Sequence, residues 1–434
     1  MKQIKKGGYK LSDSMVNQNI EKYAETVLRI GLNIQHGQKL IIEAPIQSAP
    51  FVRTVTSYAY ELGASYVHHE WSDDELTLIN HKQAPYTSLG YYPEWKANGL
   101  EKYANENAAV LFIQAPNPEL LTDVSVERST RYANERSAIR RPYLEHTHLN
   151  KISWVIVNVP SDSWSTKCFP ELPVDEGKAK LWDIIFQAAR IDSIDPITNW
   201  KNHLNSLKKT TEQLNALHIQ KLVYLGPSTD LTIELPEKHQ WLYGSRMNRR
   251  GIPFVSNMPT EEVFTIPKKE GINGIVASTR PLNFNGSIIE DFSLTFKEGK
   301  VVQFTAVKGK EVLNSILHTD EGARFLGEVA LVPHHSLISN MNLTFYNTLF
   351  DENASCHLAL GQSFPNNLVG GENMSDQELQ LNGANKSLIH IDFMIGSSAL
   401  NIDAQLADGS TIPLFRHGDW SEKFLAYNQL KSSN

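Results

Sequence analysis

The pattern of apolar positions changes character near the middle of the chain. Between Met15 and Ile34, the residues Ile20, Tyr23, Val27, Ile30 and Ile34 recur every three or four positions, the stripe of an amphipathic helix, and His36-Gly37 closes it. The β-branched run Lys39–Glu43 predicts a strand, Pro50 opens a helical pattern over Phe51–Leu62 that Gly63 ends, and Ser65–Glu70 predicts a second strand. Two further apolar runs, Ala108–Gln114 and Ile152–Asn158, flank a polar, arginine-rich helix expected over Val126–His146. Helices over Gly177–Ile191 and Trp200–Leu217 follow. Apolar strands separated by helices predict an α/β fold with a mostly parallel sheet and helices on both faces.

Beyond Leu217 the period shortens. Lys221–Leu225, Thr229–Leu235, Gly274–Ser278 and Phe292–Phe296 read as strands, and Lys297-Glu-Gly-Lys300 turns the last of these into Val301–Thr305 as a hairpin. Gly370–Lys386 reads as a solvated loop with a short helix. The expected division is an N-terminal α/β domain over 1–217 and a strand-rich α+β domain over 218–434, with residues 1–14 as an extra leader.

Charge and composition narrow the function. Forty-one Lys and Arg against 48 Asp and Glu leave a net charge of −7, the wrong sign for a protein that neutralises nucleic-acid phosphates. No apolar run is long enough to span a membrane or serve as a signal peptide. Two cysteines, Cys168 and Cys356, make no disulfide framework and point to the cytoplasm. No glycine fingerprint follows any predicted strand, so a nucleotide-phosphate cradle is not expected.

Candidate chemistry collects in the second half, where four segments set acids and imidazoles among apolar residues. They are Asn257–Thr265 with Glu261 and Glu262, Phe325–Leu331 with Glu328, Thr348–Gly361 with Asp351, Glu352 and His357, and Ser387–Gly396 with His390 and Asp392. The last is the sharpest. In an extended strand, residues two apart leave the same face about 6.6 Å from one another, so His390 and Asp392 converge while Ile389, Ile391 and Phe393 fill the opposite face. A carboxylate in so apolar a strand needs a partner or a metal, and imidazole with carboxylate is the donor set of hydrolytic zinc, cobalt or manganese sites. A His–Asp hydrogen-bonded core pair is the competing account. Glu261 and Glu262 face opposite ways if extended, so only one of them can enter a common site. The histidine pairs at 68–69, 146/148 and 334–335 lack a carboxylate cluster and are read as surface or helix-end residues. Cys168 has no evident base, and Cys356 adjoins His357 too closely in sequence for the two to aim at each other.

Taken in order, Pro259-Thr-Glu-Glu-Val-Phe-Thr, Ser278-Thr-Arg-Pro-Leu, Thr319-Asp-Glu-Gly-Ala-Arg-Phe-Leu-Gly-Glu-Val-Ala-Leu-Val-Pro, Asn347-Thr-Leu-Phe-Asp-Glu-Asn-Ala-Ser-Cys-His and His390-Ile-Asp-Phe-Met-Ile-Gly-Ser resemble the thermophilic metalloaminopeptidase family of the aminopeptidase T and aminopeptidase S type. The resemblance runs from about Asn17 through nearly the whole chain. It implies a cytoplasmic homodimeric aminopeptidase that releases N-terminal residues from peptides through a metal-bound hydroxide, using two divalent ions (Zn, Co or Mn) held in the C-terminal domain. The ligands it implies are Glu262, Glu328, His357, His390 and Asp392, with Glu328 bridging. Glu261 is then the first choice for a proton shuttle and Glu352 the second, with Glu261 also in reserve as a ligand. One position departs from the pattern: the family carries a tyrosine seven residues after the histidine of the third segment, where this chain has Phe364. Two rival readings stay open on the sequence, a metal amidase or deacylase acting on a non-peptide amide, and a weakened homologue that acts as a binding protein.

Overall fold

Leu40, Ile41 and Ile42 are wholly buried one after another in the strand Lys39–Pro45, as a strand covered on both faces requires. The structure, a computed structural model, describes residues 13–431. The leader expected over residues 1–14 therefore lies, apart from its last two positions, outside the described residues. Lys39–Pro45 is the fourth of five parallel strands, ordered Asn257–Met258, Trp154–Asn158, Ala109–Gln114, Lys39–Pro45 and Tyr66–Ser72. Alternate residues feed separate cores. Leu40, Ile42, Leu111 and Val155 pack with Tyr23, Val55, Ile185 and Trp200 on one side, while Ile41 and Val110 pack with Leu100 and Tyr143 on the other.

The helices follow the expected order with shifted ends. The opening stripe forms Asp13–Thr26 and widens to a π-helical turn over Val27–Gly31, where the Leu32 amide donates to the Val27 carbonyl at 2.8 Å. Gly31 sits so close to Val155 and Met258 that a side chain would press on both. Helices Ala49–Glu61, Val126–His148, Val174–Ala188 and Pro196–Ala216 match expectation within a few residues. Two more, Asp74–Gln83 and Glu94–Asn105, were not legible as stripes, because the first buries only His81 and the second only Ala97, Leu100 and Ala104.

The second half is built of antiparallel sheets, as its shorter period implies. A nine-stranded sheet contains the hairpin Ser287–Lys297 and Lys300–Lys308. A five-stranded sheet runs His390–Met394, His357–Gly361, Leu326–Leu331, Val263–Thr265 and Leu242–Tyr243. Their facing sides share one core, in which Leu222, Tyr224 and Leu231 of the larger sheet join Val329, Leu358, Ile391 and Phe393 of the smaller. The helix-to-strand change falls where expected, between Ala216 and Ile219. Packing nonetheless crosses it. Asn257–Met258 completes the parallel sheet, and Phe345 and Phe350 join the first core. Among the described residues, no helix is long and apolar enough to cross a membrane.

Candidate metal centre

The small antiparallel sheet has one apolar face and one face that is polar and sparsely filled. Register makes the second face. Glu328 lies opposite Ala359, and Ala359 opposite Asp392, so two acids flank a methyl group in one row across three strands. The adjacent rows place His357 beside Ala330 and His390 beside Gly361. Alanine and glycine at the centre of this face leave room for the longer side chains to converge. Gly361 is held at φ +103°, and a Cβ there would run into the Ile389 carbonyl, one residue from His390. Glu262 enters the same cluster from the residue preceding the strand Val263–Thr265.

Glu328 stands at the centre. Its Oε1 lies 3.6 Å from His357 Nε2, and its Oε2 lies 3.8 Å from His390 Nε2. On one side Glu262 Oε2 is 3.0 Å from His357 Nε2, and on the other Asp392 Oδ1 is 3.4 Å from His390 Nε2. The donors therefore form two triads, Glu262–Glu328–His357 and Glu328–His390–Asp392, with ligand atoms within 4.8 Å of one another in each and Glu328 common to both.

Both imidazoles are oriented the same way. His357 Nδ1 lies 3.0 Å from the Glu352 carbonyl and 3.1 Å from that of Ser355, while His390 Nδ1 lies 2.7 Å from the Gln362 carbonyl. A carbonyl only accepts, so each Nδ1 carries the hydrogen and each Nε2 presents its lone pair to the carboxylates, the arrangement of a metal-ligating histidine. Lone pair facing carboxylate repels unless a cation or proton lies between. Burial disfavours charge on His390, yet Asp392 and Glu328 outweigh it and raise the imidazole to about 9. His357 is likewise raised, with Glu262 and Glu328 overriding burial. Burial raises Glu328, partly offset by the two histidines. Asp392 Oδ1 is buried with no hydrogen-bond partner. An orphaned carboxylate oxygen, two pre-oriented nitrogens and a central acid turned both ways fit a pair of divalent cations.

The remaining acids divide. Glu352, at the end of the helix Thr348–Glu352, is buried, and burial together with Asp392 and Glu262 pushes its carboxyl well above the ordinary range. Glu261 is turned away from the triads. Its Oε1 meets Arg190 Nη2 at 2.6 Å, and Oε2 lies 3.9 Å from His203 Nε2. One of two adjacent acids enters the site, as alternation requires, and that acid is Glu262.

Other neighbours carried no sequence signal. Arg246 feels both Glu262 and Glu328, donates to the Tyr243 carbonyl at 2.9 Å and lies over the Phe264 ring at 4.5 Å. It stands on the short strand Ser245–Met247, in a stretch with no motif. Phe364 packs its ring against His390, centroids 4.5 Å apart. The cysteines stand apart from the chemistry: burial pushes each thiol up to about 12, and Cys356 Sγ donates to the Val332 carbonyl at 3.3 Å. His146 and His148 close the long helix, as expected, and His68 and His69 are half-buried in a strand.

A parallel α/β layer joined to an antiparallel sheet that presents two carboxylate–imidazole triads defines a metal-dependent hydrolase with a dinuclear centre. The chain belongs to the thermophilic metalloprotease family M29, whose model matches residues 16–420. It is 46% identical to aminopeptidase 2 of Geobacillus stearothermophilus over 402 residues, 93% of this chain and 97% of that one. It is 39% identical to aminopeptidase T of Thermus thermophilus, over 93% of this chain and 98% of that one. The structure of wild-type AmpT from Thermus thermophilus superposes with a TM-score of 0.87 at 38% identity, covering 93% of this chain and 99% of that one.

Proposed function

We propose that this chain is a metal-dependent aminopeptidase whose ions are held by Glu262, Glu328, His357, His390 and Asp392. The observation that carries the reading is Glu328, which turns one oxygen to each triad at the centre of a buried donor cage. The relatives' names and the resemblance support peptides with a free amino terminus as substrates. When bound, two such ions supply Lewis acidity toward the scissile carbonyl and make water acidic enough to attack near neutral pH.

The protein's own part is to orient donors and move protons. Glu328 holds the two halves of the site in register, and backbone carbonyls fix the imidazole tautomers. Glu352, buried beside the cage and carrying no ligand role, would accept a proton from the attacking water once bound cations offset its neighbouring acids and leave it a carboxylate, and would return that proton to the leaving nitrogen. Glu261 was the first choice for this task on the sequence. Its ion pair with Arg190 favours Glu352 instead. Zinc, cobalt and manganese all suit the donor set. We further propose a cytoplasmic homodimer divided near residue 217, a reading supported by two unpaired cysteines, the resemblance and the helix-to-strand change.

Hydrolysis of matched peptides with free and N-acetylated termini tests this reading, before and after exhaustive chelation. Release of the first residue only from the free peptide, lost on chelation and restored by added ion, is expected. Equal cleavage of the acetylated peptide would make the chain an amidase of another kind.

A further inference from the structure

Glu262 is the one proposed ligand that does not stand on a strand of the small sheet. The other four are fixed by ladder hydrogen bonds to their neighbours, and Glu262 needs another anchor. The residues before it are gripped from the first half of the chain. His203 Nε2 lies 2.7 Å from the Thr260 carbonyl, and Arg190 Nη2 lies 3.1 Å from His203 Nδ1 and 2.6 Å from Glu261 Oε1. A guanidinium only donates, so His203 Nδ1 accepts and its Nε2–H donates to Thr260. The side chains of Arg190, His203 and Glu261 are all about nine-tenths buried. Arg190 also lies over the Trp200 ring, whose Nε1 donates to the Ala189 carbonyl at 2.7 Å.

A second tie comes from the other side. The Glu261 amide donates to Asn353 Oδ1 at 2.7 Å, and Asn353 Nδ2 donates to the Leu349 carbonyl at 2.9 Å and lies 3.4 Å from Glu352 Oε1. The Thr260 carbonyl and the Glu261 amide and side chain are thus all occupied, by partners that make no hydrogen bond or ion pair to the four ligands on strands.

We propose that Arg190 and His203, acting through Glu261, are positioning residues that aim Glu262 at the first of the two cations. The proposal rests on the ligand reading above. A charged side chain from the α/β layer then governs one ion of a centre that otherwise belongs to the strand-rich half. The second triad, Glu328–His390–Asp392, makes no direct hydrogen bond or ion pair to this clamp and keeps its ion when the clamp is broken.

The test is Zn²⁺ titration of chelator-stripped full-length protein against a chromophoric competitor, for wild type, Arg190→Gln and Arg190→Lys. Wild type is expected to bind two ions. Arg190→Gln is expected to bind one with near wild-type affinity and the other about 10–100-fold more weakly, the usual cost of losing an outer partner of a ligand. Arg190→Lys keeps the cation and recovers part of that loss. The absorption spectrum of Co²⁺-loaded protein should change for one site only, a signature that general destabilisation would not produce. Wild-type affinity for both ions in Arg190→Gln overturns the proposal, as does equal weakening of both. Should Arg190→Gln fail to fold, Glu261→Gln, which keeps side-chain size, decides between the same outcomes. A wild type that binds fewer than two ions would instead overturn the ligand reading.

Discussion

Two regions of this molecule bury acids, and they settle the cost in different ways. In the parallel layer, Glu43 is met by Arg140, whose Nη2 lies 2.7 and 2.6 Å from its two carboxylate oxygens, with Tyr92 and Tyr143 stacked about the guanidinium. In the small antiparallel sheet, Glu262, Glu328 and Asp392 gather around two imidazoles whose proton affinity they raise, with Glu352 close by and Arg246 as the neighbouring cation. The first region is complete as a charge balance. The second sets four carboxyl groups against one guanidinium, with each imidazole Nε2 turned toward the acids and Asp392 Oδ1 without a hydrogen-bond partner. A buried carboxylate is expensive unless paired, so where the chain omits the cation, one must come from solution. This contrast separates a structural ion pair from a metal cage more sharply than burial does, since the Glu43 and Asp392 side chains are exposed to nearly the same extent, 16% and 15%.

The comparison breaks most visibly at Glu328. Glu328→Gln removes the shared ligand, and the expected loss in kcat/KM is on the order of 10³-fold or more, with fewer than two ions retained. Thermal melting adds a sign. Stripped of metal, the variant should melt above stripped wild type, because one of several crowded acids has been neutralised. Loaded, it should melt below. A fall in both states would mean that Glu328 is balanced within the protein, as Glu43 is.

Glu352→Gln comes next. The cage keeps its five donors, so metal stoichiometry should stay at two while kcat falls by roughly 10²–10⁴, the range for losing a general acid–base group. KM should move little. A variant with wild-type kcat would exclude Glu352 from proton transfer.

Glu43→Gln turns the comparison around. It leaves the half-buried Arg140 guanidinium without its carboxylate, and losing charged hydrogen bonds of this kind costs about 1.5–3 kcal/mol. Chemical denaturation should show that loss, while metal content and kcat of the folded protein stay unchanged. Any loss of metal would mean that the two regions are coupled.

The same contrast explains what could be read from the chain without coordinates. Four of the five proposed ligands stand in strands whose apolar neighbours expose the anomaly: an acid or imidazole where Val, Leu or Ile belongs, with His390 and Asp392 already on one face by alternation. The choice between Glu261 and Glu262 was not legible, because adjacent residues carry opposite directions and only Arg190 and His203, distant in sequence, decide which turns inward. Arg246 and the carbonyl of Gln362 were equally silent, since an arginine on a three-residue strand and a backbone oxygen leave no pattern. In the first half, three of the parallel strands announced themselves as apolar runs, while Tyr66–Ser72 carries His68, His69 and Glu70. Its fifth strand is only Asn257–Met258, borrowed from across the expected division, and two residues carry no period. Helix Asp74–Gln83 was hidden for a related reason. Its stability comes from the Asp73 side chain capping the Leu76 amide at 2.9 Å more than from any buried stripe.

The smallest expected effect concerns the wall of the cage. Around Arg140 the stacked rings are tyrosines, and burial, with Glu43 adding to it, holds the Tyr143 hydroxyl well above its ordinary range, so that it stays neutral. Against His390 the stacked ring is Phe364, which has the same shape and no hydroxyl, at the position where the resembling family carries tyrosine. An oxyanion donor built into a hydrolytic site is worth on the order of 10²–10³ in rate. The cage packs around the ring alone, so Phe364→Tyr should recover only part of that. The expectation is a rise in kcat of about tenfold, roughly 1.4 kcal/mol, with metal stoichiometry unchanged. A rise confined to substrate affinity would place the new hydroxyl on the ground state rather than on developing charge. No rise at all would mean that the donor at this face comes from elsewhere in the cage, and Arg246, already within the field of Glu262 and Glu328, would be the residue to replace next.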